Sequence, residues 1–379
     1  MLLRDAMTSP QVLITGGAGF IGAHLTQELL DHGYSVRILD NLTPQVHGTK
    51  RVRPDYLSRE AELIVGDVRD AAAVRKALRG VDVVYHLAAR VGVGQSMYEI
   101  AEYTSVNNFG TSVLLEQLIE RPVRRLIVAS SMSVYGEGLY RRADGSLIEK
   151  AERSTDQLKA GSWELRDGSG SELAPVPTPE SKSPCLTSVY ALSKFDQERM
   201  CLMIGRAYGI PTVALRFFNA YGPYQALSNP YTGVLAIFSS RVLNDKPPLL
   251  NEDGRQTRDF VNVTDIARAC RLALERDTAV DQVINVASGQ PVTIAEVAAR
   301  LSKVLGKRHL ALEITNRYRA GDIRHCYADI SHARAVLGYA PRVSFDAGLH
   351  TLAGWLERQV TFDRVDQSRA ELEIRGLMV

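Results

Sequence analysis

A chain of 379 residues, 45% hydrophobic and 23% charged, has ordinary globular composition and length enough for one large α/β domain with an appended lobe. Its net charge of +2, without a Lys/Arg-rich block, argues against nucleic acid or an anionic membrane as the main partner. Cys185, Cys201, Cys270 and Cys326 form no C-x-x-C pair, the start MLLRDAMTSP lacks an apolar core, and no run could span a bilayer, which together predict a soluble cytoplasmic protein with free thiols.

From Gln11 short β-branched runs alternate with amphipathic stretches: VLIT, a helix to about Gly33, then SVRILD, ELIVGD, VDVVYHLA and RLIVASS. Strands this apolar have no wet face, the mark of a parallel sheet covered by helices on both sides. The expectation is α/β, a doubly wound (Rossmann) NAD-binding domain over residues 10–220. Within it, 137–187 is rich in Gly, Ser, Pro and charge, and reads as a long loop without helix or strand, either a surface insertion or a substrate-covering lid. A helix from about Tyr190 to Tyr208 and the strand TVALRF follow. Residues 221–379 are assigned mainly to a smaller C-terminal α/β substrate-binding lobe, with some segments returning to the first domain. The last twenty residues read as a helix or a tail.

TGGAGFIG follows the first strand and opens the first helix, placing Gly16, Gly19 and Gly22 where backbone N–H groups can approach a pyrophosphate. A tight strand-to-helix turn is the plainer alternative. Asp40, ending the second strand, can accept from an adenosine ribose and repel a 2′-phosphate, favouring NAD over NADP. Asp67, ending the third, can meet the adenine. Either acid could instead cap a helix.

Tyr190 and Lys194, at i and i+4 in SVYALSKFD, share a helix face, so an ammonium there would pull the phenol toward its ionised form as a general base and acid. Ser131, closing RLIVASS at the sheet edge, adds a hydroxyl. The eight histidines show no ligand spacing, and no metal site is expected.

With these motifs in place, the chain resembles the extended short-chain dehydrogenase/reductase superfamily of nucleotide-sugar epimerases and dehydratases. TGGAGFIG, Asp40-Asn41, GDVRD, HLAA, SSMSVYG, YALSK, LRFFNAYGP, RDFVNVTDIARA and RAGDIRHCYAD occur in family order from Gln11 to about Pro341. The resemblance implies cofactor contacts from Gly16, Gly19, Phe20, Ile21, Gly22, Asp40, Asn41, Asp67, Val68, Leu87, Ala88, Ala89, Asn107, Tyr190 and Lys194. It implies substrate contacts from Ser131, Ser133, Asn219, Val234, Arg258, Arg319, Asp322 and Cys326, with the arginines suited to a diphosphate. Cys326 falls where related epimerases set pocket size, implying a roomy pocket. Two departures stand out: the length of 137–187, and Val91 where some epimerases carry a lysine.

Dehydratases of this superfamily carry an Asp-Glu pair after the catalytic hydroxyl residue, and this chain has Met132 and Ser133. Without a general acid, elimination is disfavoured and epimerisation at carbon 4 of a nucleotide-linked hexose is expected. The runs VGVGQSMYEI, SSMSVYGEG and ALSNPYTGV look most like enzymes of dTDP-6-deoxyhexose metabolism such as dTDP-L-rhamnose 4-epimerases, with UDP-hexoses and UDP-hexuronates also admitted. A reductase, dehydrogenase or 4,6-dehydratase, and a non-catalytic NAD sensor, are the competing readings. The resemblance also implies a homodimer built on the helices beginning near Tyr103 and Tyr190.

Overall fold

Residues 9–227, 229, 231, 233–319, 321–359 and 363–378 are described by this computed structural model. Most of MLLRDAMTSP, Ser228, Pro230 and Thr232 of ALSNPYTGV, and Ala320 of RAGDIRHCYAD lie outside them.

The apolar runs pair as parallel strands. β1 (Gln11–Thr15), β2 (Ser35–Asp40), β3 (Glu62–Val65), β4 (Val83–His86) and β5 (Arg125–Ser131) come first, and β6 (Leu139–Arg141), β7 (Leu147–Ile148) and β8 (Ala174–Val176) belong to the insertion. β9 (Thr212–Phe217), β10 (Asn219–Tyr221), β11 (Leu249–Leu250), β12 (Thr257–Asn262), β13 (Val283–Val286), β14 (Pro291–Thr293), β15 (Glu313–Ile314) and β16 (His325–Cys326) follow. The large sheet has the order β13-β9-β5-β4-β1-β2-β3, so the chain starts in the middle, winds outward to β3, then crosses to β4 and winds the other way. That reversal leaves a crevice at the carboxyl ends of β1 and β4, where open α/β sheets bind ligands.

Both sheet faces are dry. Val12 and Ile14 enter one hydrophobic cluster and Leu13 enters the other, and none of the three is solvent-accessible. Each such aliphatic side chain stabilises the fold by about 1.5–3 kcal/mol. Helices Phe20–Asp31 and Val263–Glu275 pack together over the first face, while Ala71–Ala77, Gly110–Glu120 and Val189–Tyr208 cover the second.

The insertion departs from the expected structureless loop. β6 pairs antiparallel with β7 and β8, helix Thr155–Lys159 follows, and Tyr140, Ala151, Leu165 and Leu173 form a small core. Pro175 is tolerated because β8 is an edge strand, where a missing N–H disrupts no inner ladder. Gly145 and Gly170, both at positive φ, make turns.

Beyond β9, β12 pairs with β10, β14 and β16, and β11 pairs with β15, around a cluster that includes Phe238, Leu250, Phe260 and Leu352. β13 returns to the edge of the large sheet. The chain ends in helix Val365–Ile374, after which Met378 bridges Arg319. No helix among the described residues is long and apolar enough to cross a membrane.

Candidate active site

The glycine loop leaves room only for hydrogen. A Cβ on Gly16, whose φ is +71°, would lie 2.8 Å from the backbone of Ala88, and one on Gly22 would lie 2.5 Å from the Cα of Gly17. Helix Phe20–Asp31 begins at Gly19 with no side-chain cap and no acid in its first turn, which leaves its amides and dipole open to a phosphate. Phe20, Ile21, Leu87, Ala88 and Ala89 are half-buried around it, and Val68 is buried. These residues fit a dinucleotide. Asp40 accepts hydrogen bonds from Ala18 N at 3.0 Å and Leu42 N at 2.9 Å, bracing the glycine loop against the end of β2. Asp67 accepts from Asn41 Nδ2 at 3.0 Å and from Arg69 Nε and Nη2 at 2.9 Å each. Burial would raise its pKa, but the bonds from Arg69 and Asn41 win and hold it near about 2.

The chemistry-bearing helix, Val189–Tyr208, is capped by Ser188, whose hydroxyl accepts from Ala191 N at 3.1 Å. Tyr190 N donates to Ser96 Oγ at 3.0 Å, fixing the first turn against the segment after β4. The Tyr190 phenol lies near enough to Ser131, the last residue of β5, for that hydroxyl to favour its ionised form, and Ser133 Oγ lies 2.9 Å from Ser131 Oγ. One turn past Lys194, Glu198 accepts from Arg216 Nη2 at 2.7 Å and Ser130 Oγ at 2.6 Å, a buried network that ties the helix to β9 and β5. Helix register, and so the approach of Tyr190 to Ser131, is set by these contacts.

Lys194 is held by Gln197 rather than by Tyr190. Its Nζ donates to Gln197 Oε1 at 2.6 Å, and burial lowers its pKa to about 8. Burial also raises the Tyr190 phenol, against the opposing influence of the nearby Ser131, so this arrangement keeps the phenol neutral. Gln197 Nε2 donates to Thr111 Oγ1 at 2.9 Å and lies 3.1 Å from His86 Nε2, and His86 Nδ1 lies 2.8 Å from Thr15 Oγ1. Burial, with repulsion from Lys194, drives His86 down to about 3, so the imidazole is neutral. Asn107 lies in a single π-turn, Thr104–Phe109, and its side chain bonds Arg90 N, Arg90 O and Ser193 Oγ. The π-turn interrupts the helix expected from near Tyr103, as is common at functional sites.

Beyond β9, Arg258 Nη2 and Arg319 Nη2 converge on Asp322, at 3.6 and 3.0 Å. Burial would raise the Asp322 carboxyl, but Arg319 and Arg258 outweigh it and hold it low. Asn219 Oδ1 is buried without a partner among the described residues, an acceptor open to a donor from outside the chain. Val234 begins helix Val234–Leu243 at the rim of the third hydrophobic cluster. Cys326 is 1% exposed and its Sγ lies 4.0 Å from Thr178 Oγ1 in the insertion, so the thiol is packed into the wall rather than lining an open pocket.

The insertion props this wall. Glu137 accepts from Arg324 N at 2.7 Å and His325 N at 3.1 Å, and Glu164 Oε2 lies 2.9 Å from His325 Nε2. Arg153 donates to Glu252 Oε1 at 2.7 Å and to the main-chain oxygen of Asp322 at 2.9 Å. Sequence reasoning missed this prop, together with Gln197, Ser96 and the Glu198–Arg216 pair. Their only trace in the sequence is a polar residue at a position the helix buries. A cavity of about 1030 Å³ opens beside the end of β2, between residues 44–56, the turn at 95–99 and the C-terminal helix, and Tyr190 is not among its lining.

Comparison with known proteins places this arrangement. The model of the NAD dependent epimerase/dehydratase family matches residues 12–156 and 165–287. A dTDP-L-rhamnose 4-epimerase of Burkholderia thailandensis is 35% identical over 354 residues, covering 92% of this chain and 96% of its own. The UDP-N-acetylglucosamine 4-epimerase of Methanobrevibacter ruminantium M1, solved with UDP-N-acetylmuramic acid, superposes with a TM-score of 0.76 at 30% identity, over 93% of this chain and 100% of its own. The UDP-glucuronic acid 4-epimerase of Bacillus cereus, solved with UDP-glucuronic acid and NAD, superposes with a TM-score of 0.74 at 28% identity, over 92% and 99%. The gap in the family match, residues 157–164, lies within the insertion. The glycine loop, the trio Ser131, Tyr190 and Lys194, and similarity over 92% of the chain agree, and the chain belongs to the NAD-dependent epimerase/dehydratase family.

Proposed function

We propose that the protein is a nucleotide-sugar 4-epimerase that uses NAD to invert carbon 4 of a nucleotide-linked hexose through a transient 4-keto sugar. The observation that carries this reading is the packing of β5, which ends at Ser131, against the helix that bears Tyr190 and Lys194 one turn apart. Bound NAD supplies a reversible hydride acceptor. Tyr190 takes the carbon 4 hydroxyl proton, Ser131 hydrogen-bonds the reacting oxygen, and Lys194 carries the positive charge that favours the ionised phenol. The keto sugar turns about its diphosphate linkage, presents its other face, and regains its proton from Tyr190. Arg258, Arg319 and Asn219 hold the nucleotide diphosphate while the sugar turns.

Met132 and Ser133 are both buried beside Ser131, and neither can protonate a leaving hydroxyl, which favours epimerisation over dehydration. The relative at 35% identity makes dTDP-6-deoxyhexoses the first substrates to test, followed by UDP-hexoses and UDP-hexuronates. A homodimer is part of the proposal, because Ile100, Phe109, Leu192 and Met203 leave apolar surface exposed on the helical segments that would pair. A cytoplasmic location is too, supported by four free thiols. Incubation with a panel of dTDP-, UDP- and GDP-sugars, read by NMR for configuration at carbon 4, tests the activity. Net accumulation of a keto sugar or of NADH instead would favour a dehydrogenase.

A further inference from the structure

The C-terminal helix, Val365–Ile374, is fastened to the segment that carries Arg319. Met378 forms a backbone bridge with Arg319, and Glu373 pairs with Arg317. Elsewhere the helix and its approach supply acids to cations of the body: Asp366 meets Arg241 Nη1 at 2.8 Å, and Asp363 meets Lys246 Nζ at 3.0 Å. Glu371 accepts from Tyr231 OH at 2.7 Å. Val365 and Leu372 are buried beneath these contacts.

Arg369 is the exception. Among the described residues its side chain meets no carboxylate within ion-pair distance, and its hydrogen-bond partner is the neutral Asn251 Oδ1 at 3.4 Å, near the limit of a useful bond. Burial and the fields of Arg317, Arg241 and Arg319 all disfavour its charge, and Glu373, which would favour it, is already held by Arg317. A half-buried guanidinium among like charges costs stability unless an anion arrives. Arg258 and Arg319 share the single carboxylate of Asp322, and Arg153 beside them is held by Glu252 and Glu137, so a doubly ionised diphosphate there would gain from a further cation.

We propose that Arg369 is a third cationic contact to the diphosphate of the nucleotide sugar, so that the C-terminal helix forms part of the substrate site. The inference rests on the reading of Arg258 and Arg319 as diphosphate contacts. A planar guanidinium suits paired phosphate oxygens, and the weak bond to Asn251 leaves its donors available to them.

The test uses full-length, NAD-loaded protein carrying Arg369→Gln, Arg369→Lys or, as a control, Arg319→Gln. Measured are kcat and KM for a nucleotide sugar that the wild type epimerises, inhibition by UDP or dTDP and by the corresponding nucleoside, and Tm. Arg369→Gln is expected to raise KM and weaken nucleoside-diphosphate inhibition about tenfold or more, with kcat within about twofold, while inhibition by the nucleoside is unchanged. Arg369→Lys restores part of the loss. Tm stays equal or rises, because a repelled charge has gone, whereas a merely structural arginine would lower it. Inhibition within about twofold of wild type for Arg369→Gln, alongside a clear loss for Arg319→Gln, overturns the inference alone. Equal losses with diphosphate and nucleoside also overturn it. If neither the wild type nor any variant binds a nucleoside diphosphate, the reading of the site itself fails.

Discussion

Lys194 Nζ donates to Gln197 Oε1 at 2.6 Å, and the same amide donates from Nε2 to Thr111 Oγ1 at 2.9 Å. The ammonium is therefore oriented through a polar chain that ends at Thr15 on β1, next to the glycine loop, and the tyrosine one turn earlier plays no part in holding it. Gln197→Leu fills similar volume but removes the acceptor from a buried cation. We expect a stability loss of about 1–3 kcal/mol and a lower kcat. Gln197→Glu, which keeps an acceptor and adds a counter-charge, should lose less of both. Thermal unfolding and steady-state kinetics check this, and a Gln197→Leu enzyme unchanged in both would show that the chain is idle.

The pH profile follows from the same burial. Folding lowers the Lys194 pKa from 10.5 to about 8, so between those values the unfolded chain binds more protons than the folded one. Stability conferred by this group therefore rises with pH across that window, as the folded lysine sheds a charge it holds at a cost. Activity should move the other way, because neutral Lys194 no longer favours the ionised phenol. The kcat/KM profile of wild-type protein is expected to fall on the alkaline side with a midpoint near 8. His86, held near about 3, contributes no limb in the neutral range. A profile still climbing through the alkaline range would contradict the role given to the ammonium.

Much of this was legible in the residues. Val12, Leu13 and Ile14 announce a strand buried on both faces, and the glycines of TGGAGFIG announce a turn where no Cβ fits. The insertion was misread because its Pro and Gly sit at strand edges and turns, while Tyr140, Leu165 and Leu173, far apart in sequence, build a core that local propensity cannot reveal. The Tyr190–Lys194 spacing put both groups on one face, but it could not show that Gln197, one turn further on, captures the ammonium. Partnership among buried polar groups depends on tertiary distance, which spacing does not encode.

Acid titration probes the insertion. The bond from His325, with those from Arg324, holds the Glu164 carboxyl near about 2 against an ordinary 4.5. Its contribution is complete above the higher value and is lost as pH falls toward the lower one. Because Glu164 is partly exposed, about 1 kcal/mol is a fair scale for it. Glu164→Gln should flatten the acid limb of stability, and should raise KM for the nucleotide sugar several-fold by loosening the wall at His325 and Cys326. NAD affinity should not change. Limited proteolysis and KM measurements across acid pH decide the matter, and an unaltered KM would leave the insertion without influence on the substrate wall.

The most direct measurement is carbon 4 inversion by Tyr190→Phe, followed by NMR on a nucleotide sugar that the wild type converts, with Tm and bound NAD measured on the same sample. The loss of one hydroxyl near Ser131 should leave folding and NAD content intact while slowing epimerisation by about 10²–10⁴-fold. Inversion at near wild-type rate by this variant would mean that the proton is handled elsewhere and that the phenol is not the acid and base of the reaction.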